Sequence, residues 1–298
     1  MSNNSRGMSS GLLVAVVIGT AASIYLYLTG ILGIVPALAA NALIIASTVV
    51  LGREKVNKKP IVWENEVVII TGGNRIKYYE GDVSNYKTLE PIVEKIVKDL
   101  GTPTVLFNNA GIMVPKSFLE FTPDQIDKLL AINLSGPIYL TRLVAPLMLK
   151  NRKGHIISMG SVASFVTFPH GSTYCASKHG LHGFFEGVRH DLRELPGGSK
   201  IKISVIYPSV VNTGLFDGLK TSTSLIANSS PDSVARAFID IVESQEGHEI
   251  FLPRTAKITS FLSAFSRSFR DRVYNLLDAQ NSMKEFKGRD LYFSKTAK

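Results

Sequence analysis

Tyr174 and Lys178, in the run Ser172-Thr173-Tyr174-Cys175-Ala176-Ser177-Lys178, form a pair that can move a proton. On a helix, positions i and i+4 share a face, so the Lys178 ammonium lies beside the Tyr174 phenol. A neighbouring positive charge favours the phenolate, which predicts a Tyr174 pKa drawn down from ~10 toward the range of a general acid or base. Ser161 follows the apolar run His155-Ile156-Ile157-Ser158-Met159-Gly160, which reads as a buried strand ending in a loop. There its hydroxyl can hold a substrate oxygen against Tyr174. Taken singly, each residue also has an ordinary reading: a buried helix tyrosine, a surface lysine and a loop serine.

Such a site needs strands and helices to assemble it. The strand Thr104-Val105-Leu106-Phe107 runs into Asn108-Asn109-Ala110-Gly111, and Asn133 lies in Ala131-Ile132-Asn133-Leu134-Ser135-Gly136. A strand from Ile201 to Ile206 is closed by Tyr207-Pro208-Ser209-Val210-Val211-Asn212-Thr213. Apolar strands alternating with helix-length segments predict βαβ units and a parallel sheet. In order and spacing these motifs resemble the short-chain dehydrogenase/reductases, from Val67 to Pro253. The resemblance implies an α/β fold with a Rossmann-type doubly wound parallel sheet, and NAD or NADP as cofactor. It implies that Tyr174 is the acid/base and Ser161 orients the carbonyl or alcohol. Lys178 would bind the nicotinamide ribose and tune Tyr174, and Asn133 would hold a proton-relay water. By the same resemblance Thr71, Gly72 and Gly73 begin the phosphate-binding turn, Asn109, Ala110 and Gly111 neighbour the cofactor, and Asp82 and Val83 contact adenine. Pro208, Val211 and Thr213 belong to a stretch that contacts the nicotinamide.

The chain departs from that pattern at one point. Glu66-Val67-Val68-Ile69-Ile70-Thr71-Gly72-Gly73 reads as the first strand and the start of its Gly-rich turn, yet Ile76-Lys77-Tyr78-Tyr79-Glu80-Gly81-Asp82-Val83 already reads as the third strand. About forty residues that carry a helix, a second strand and another helix in the doubly wound pattern are absent. Parallel neighbours need a crossover of about a dozen residues or more, whereas Gly72-Gly73-Asn74-Arg75 can make only a tight antiparallel turn. Either the two segments pair as a hairpin or one is displaced. The helix whose N-terminus holds the pyrophosphate has no residues here, so the sheet is expected to be incomplete at its first βαβ unit.

The 298 residues are 45% hydrophobic with a net charge of +9 and a single cysteine, Cys175, which rules out an internal disulfide. Basic residues cluster near apolar segments rather than around a nucleic-acid motif, so a membrane surface is the better partner. From Gly11 to Leu51 there is no charged residue. As one helix this run would extend ~60 Å, twice a hydrocarbon core of ~30 Å. Thr29-Gly30 and Pro36 interrupt it, which allows two spans or a re-entrant hairpin, and Arg53, Lys55, Lys58 and Lys59 favour a cytosolic catalytic domain. Beyond Pro253, Ile258, Phe261, Leu262, Phe265, Phe269, Val273, Leu276 and Leu277 recur at helical steps among Lys257, Arg267, Arg270 and Arg272, a basic amphipathic helix that either lies in a membrane interface or covers the core. The segment from Asn212 to Ser230 reads as a substrate lid, and the six histidines show no metal spacing.

The expected organisation is a polar tail over 1–10, a membrane anchor of one or two helices over 11–52, the dehydrogenase-like domain over 62–255 and the basic amphipathic segment over 256–298. An apolar N-terminus and a Phe/Leu-rich C-terminus resemble the membrane and lipid-droplet retinol and 17β-hydroxysteroid dehydrogenase branch. That resemblance implies an endoplasmic reticulum or lipid-droplet enzyme interconverting a lipophilic alcohol and a ketone or aldehyde. The alternative is an inactive truncated isoform or pseudoenzyme that binds a lipid or protein at the membrane. Expected partners are a lipophilic small molecule, the membrane and a second copy in a homodimer, with no metal and no nucleic acid.

Overall fold

Five short apolar runs form one parallel sheet in the order β1-β2-β3-β4-β5: Val68–Ile70, Val105–Asn108, Gly154–Met159, Ile201–Pro208 and Glu249–Leu252. The computed structural model describes residues 61–72, 79–213, 215 and 228–276, all within the unit Lys59–Lys298. Helix α1 (Tyr86–Leu100) joins β1 to β2, α2 (Pro123–Leu130) and α3 (Gly136–Asn151) join β2 to β3, and α4 (Ser172–Glu194) joins β3 to β4. Helix α5 (Pro231–Ser244) precedes β5. Successive strand residues point to opposite faces. Leu106, Ile156, Val205 and Tyr207 pack with α1, α3 and α4, whereas Val105, Phe107, Ile157 and Ile206 pack with α5. A sheet covered on both faces requires the nearly continuous apolar runs seen in β2, β3 and β4.

Local sequence sets the helix starts. Asn85 caps α1 by accepting from the Lys87 N–H, and Thr122 and Gln125 form a capping box on α2 with Pro123 in its first turn. Ser230 caps α5 by accepting from the Ser233 N–H, again ahead of a proline. Between α2 and α3 the helix widens into a π turn, Ala131–Ser135, which carries Asn133 inward.

One expectation about this part of the chain is corrected, and one of two alternatives is not seen. Tyr79–Val83 is not a strand, and among the described residues β1 makes no hairpin. The Asp82 carboxylate instead accepts from the N–H and hydroxyl of Ser84 at 2.9 and 2.7 Å, closing a turn that leads into the α1 cap. The few residues between Gly72 and Tyr79 are fewer than the dozen or so that a parallel crossover needs. In the doubly wound order 3-2-1-4-5-6 the first strand has a neighbour on each side. Here β1 lies beside β2, through Val68–Val105, Ile69–Leu106 and Ile70–Phe107, and has no strand on its other side among the described residues.

The C-terminal segment is not one helix. It breaks into a 3₁₀ turn at Arg254–Ile258, α6 (Thr259–Leu262) and α7 (Arg267–Leu276). Serines 260, 263 and 266 lie around the break, and their hydroxyls bond nearby backbone groups in competition with a continuous helix. The charge-free run 11–51, Gly73, most of the lid segment and Leu277 lie outside the described residues. No described helix is long and apolar enough to cross a membrane.

Candidate active site

All four residues expected to do the chemistry are buried: Asn133, Ser161, Tyr174 and Lys178. Helix α4 presents Tyr174, Lys178, Leu181 and Phe185 inward at steps of three and four, which anchors its catalytic end through a hydrophobic stripe. Ser161 follows β3 and caps a short turn, accepting from the Ala163 N–H at 3.1 Å, and its side chain hydrogen-bonds to Tyr174. The Lys178 ammonium donates to the Met159 carbonyl at 2.8 Å and stands 5.7 Å from the centre of the Tyr174 ring. Ser164 donates to the Lys178 carbonyl at 2.9 Å, tying this turn to α4.

Asn133 is fixed from two sides. Its carbonyl oxygen accepts from the Ile112 N–H, and its amide donates to the Ile112 carbonyl, both at 2.8 Å. The same amide donates to the Ser177 hydroxyl at 3.2 Å, which in turn donates to the Tyr174 carbonyl at 2.7 Å. Ser177 therefore connects the π turn to the tyrosine. Nothing in the spacing of the run singles it out, and the π turn itself has no sequence signature. Tyr207, fully buried, backs the serine loop: a Cβ on Gly160 would lie 2.7 Å from its ring, so only glycine fits there. The Tyr207 hydroxyl meets His182 Nδ1 at 2.7 Å and donates to the exposed Glu249 at 3.3 Å, a part-buried network that runs from the core to the surface.

The electrostatics reverse one expectation. Burial pushes the Tyr174 pKa up, because a phenolate loses its hydration, and the Ser161 hydrogen bond only partly opposes this. Lys178 does not draw it down, since burial lowers the lysine itself from 10.5 to about 8. Tyr174 is therefore a neutral phenol at pH 7, a proton donor. The Cys175 thiol is pushed up to about 11 by burial and has no thiolate chemistry near neutrality.

Lysine burial also makes stability depend on pH. An unfolded chain protonates Lys178 near 10.5 and the folded chain near 8, so between these values the unfolded state holds more protons and stability rises with pH. Below pH 8 both states are charged and the full cost of burying the ammonium remains. Denaturant titration should show wild type gaining about 2 kcal/mol relative to Lys178→Met between pH 7 and 9.5. Parallel curves for the two proteins would contradict a buried, depressed lysine.

The loops after β1, β2, β3 and β4 all lie at one edge of the sheet, where α/β folds bind ligands. The Thr71 hydroxyl accepts from the N–H groups of Asn109 and Ala110 at 3.0 and 2.8 Å, and the Asn109 amide donates to the Thr71 carbonyl at 2.9 Å. Gly72 has φ +76° and packs so that a Cβ would meet Ala110 at 3.4 Å, so the turn needs glycine. A Cβ on Gly111 would lie 3.4 Å from the Asn133 oxygen and 3.9 Å from the Lys178 ammonium, which leaves the backbone close to both. Pro208 ends β4, Val211 bridges to Ser229, and Thr213 is exposed beyond it. Val83 is half-buried against the core, while Asp82 is exposed. Lys178 and Gly111 thus lie together at this edge, where the Pro208–Thr213 loop also leaves β4. Among the described residues no helix starts behind Gly72 to hold the pyrophosphate half of a dinucleotide, and the next helix cap belongs to α1. Among the described residues no cluster could hold a metal ion.

A sequence model of the short chain dehydrogenase family matches residues 29–223. The chain belongs to this family. The match begins upstream of Val67 and stops short of Pro253, yet Val68–Ile70 is the strand that lies beside β2. An uncharacterised oxidoreductase of Staphylococcus saprophyticus is 31% identical over 210 residues, which are 63% of this chain and 83% of that protein. Homo sapiens 17-beta-hydroxysteroid dehydrogenase 13 is 31% identical over 202 residues, 66% of each chain. Mus musculus epidermal retinol dehydrogenase 2 is 27% identical over 211 residues, 70% of this chain and 67% of that one. The family chain spans less than two thirds of several curated relatives, including 58% of a Bos taurus family member. Among solved structures, 4-hydroxyisoleucine dehydrogenase complexed with NADH superposes with a TM-score of 0.50 at 24% identity, covering 57% of this chain and 77% of that chain. At that identity the likeness concerns the fold.

Proposed function

We propose that this short-chain dehydrogenase is an NAD(P)-dependent oxidoreductase that interconverts a lipophilic alcohol and its ketone or aldehyde, of the retinoid, steroid or lipid class. The observation that carries this reading is the buried hydrogen bond between Ser161 and Tyr174, with Lys178 and Asn133 held beside them. In the reducing direction Ser161 donates to the substrate carbonyl oxygen and Tyr174, kept protonated by burial, gives that oxygen its proton. Lys178 and Asn133 hold the polar surroundings, and Ser177 keeps Asn133 in register with Tyr174. NAD(P) is the hydride carrier this reading requires, with Lys178, Tyr174, Asn109–Gly111 and the Pro208–Thr213 loop as its neighbours; Asp82 and Val83 would meet the adenine side.

The charge-free run 11–51 and the steroid and retinol dehydrogenases among the relatives support a membrane-anchored enzyme of the endoplasmic reticulum or lipid droplet, its catalytic domain in the cytosol. A second reading, an inactive isoform or pseudoenzyme that binds lipid or protein at the membrane, is favoured by one observation: β1 lacks a described strand and a described phosphate-binding helix on its outer side. Assays of the detergent-solubilised full chain against retinal, a 17-ketosteroid and acetone should give kcat/KM values at least about 100-fold higher for the lipophilic carbonyls. Equal values across the panel would refute the substrate class.

A further inference from the structure

Much of the apolar stripe of the C-terminal helices faces solvent rather than the core. Ile258, Phe261, Phe265 and Phe269 are 57%, 42%, 41% and 44% exposed, and none belongs to a core cluster. Phe265 and Phe269 pack ring to ring at 4.7 Å, so they form a patch rather than isolated side chains. Around them Arg254, Lys257, Arg267 and Arg272 are exposed and Arg270 half-exposed, against one acid, Asp271. Among the described residues the ion pairs are Lys95–Asp99, Lys153–Glu66 and Arg189–Glu186, so no ion pair neutralises these cations. The segment leaves the end of β5 at the sheet edge that carries Thr71, Asn109 and Ser161.

We propose that Arg254–Leu276 is an interfacial platform for an anionic phospholipid surface. Phe261, Phe265 and Phe269 enter the boundary between headgroups and acyl chains, and the arginines and lysine sit on the phosphates. A phenyl stripe alone would serve any apolar partner, but a second copy would oppose like cations, and a nucleic-acid duplex, its bases already stacked, would take the cations and leave the phenyls unburied. A lipid interface takes both, pairing the basic residues with its phosphates and burying the phenyls. The proposal deepens the membrane reading above and rests on it. It adds a second attachment, beside the sheet edge where a lipophilic substrate would be bound.

The test uses the full chain with Trp63→Phe, which removes the native indole, and Phe265→Trp, which reports from the patch. The protein is mixed with phosphatidylcholine vesicles, with or without phosphatidylserine, carrying doxyl labels at shallow or deep acyl positions. The introduced indole should shift to the blue, be quenched more by shallow than by deep labels, and lose most of that quenching without phosphatidylserine. Phe269→Trp gives a second probe should the first disturb the ring pair. Vesicle flotation in high salt reads the N-terminal anchor separately. A chain that floats while its indole stays as accessible to iodide as in buffer would overturn the platform and leave the anchor standing. Quenching independent of phosphatidylserine would overturn its anionic specificity, and a chain that does not float would overturn both readings.

Discussion

Tyr174→Phe should lower kcat for carbonyl reduction by about 10²–10⁴-fold while the protein stays folded. The Tyr174 phenol, held neutral by burial, is hydrogen-bonded to Ser161, and its ring is buried with Met113, Ala163 and Cys175, contacts that phenylalanine keeps. Loss of the hydroxyl frees Ser161 from one hydrogen bond but leaves its bond from the Ala163 N–H, so the stability cost is about 1–3 kcal/mol at most. Steady-state kinetics with thermal unfolding of the same samples checks both halves. Turnover comparable to wild type in a well-folded variant would remove Tyr174 from the chemistry.

A family-length insert after Gly73 should tighten NAD(P) binding by about two orders of magnitude and raise stability. The change supplies the helix N-terminus that holds a pyrophosphate, and each charge-assisted hydrogen bond lost there is worth about 1.5–3 kcal/mol. It also gives β1 a second neighbour, covering an edge where Ile70 is 44% exposed. Calorimetric titration of both proteins with NADH and NADPH reads the affinity, and denaturant midpoints read the stability. Equal affinities would mean that the nicotinamide-facing residues and the short Gly72 turn suffice.

Much of the site was legible because its chemistry rests on residue type and local spacing. Tyr174 and Lys178 share a helix face as i and i+4, and Ser161 ends a strand whose apolar run is unmistakable. The strands around Val105, Ile156 and Val205 are continuous apolar runs because both faces of the sheet are covered. What escaped depends on tertiary packing. The π turn that aims Asn133 is a backbone insertion with no composition of its own, and Ser177 matters only because two other elements converge on it. Spacing gives the nearness of a charge but not the dielectric around it, so it does not fix the direction of the Tyr174 shift; burial outweighs the lysine and depresses the lysine too. The run Ile76–Val83 has the residues of a strand, yet its described part, Tyr79–Val83, is not one: a strand also needs a connection long enough to enter the sheet, and few residues follow Gly72 before it.

The most direct test of the account is transfer of deuterium from NAD(P)D labelled at the reactive carbon of the nicotinamide to a lipophilic carbonyl, read by mass spectrometry after incubation with the vesicle-reconstituted chain. Accumulation of label sees turnover even when cofactor binding is weak. Wild type should place deuterium on the carbinol carbon of the alcohol, and Tyr174→Phe at least about 100-fold less in the same time. Unlabelled carbonyl recovered intact from folded wild-type protein at saturating cofactor would contradict it.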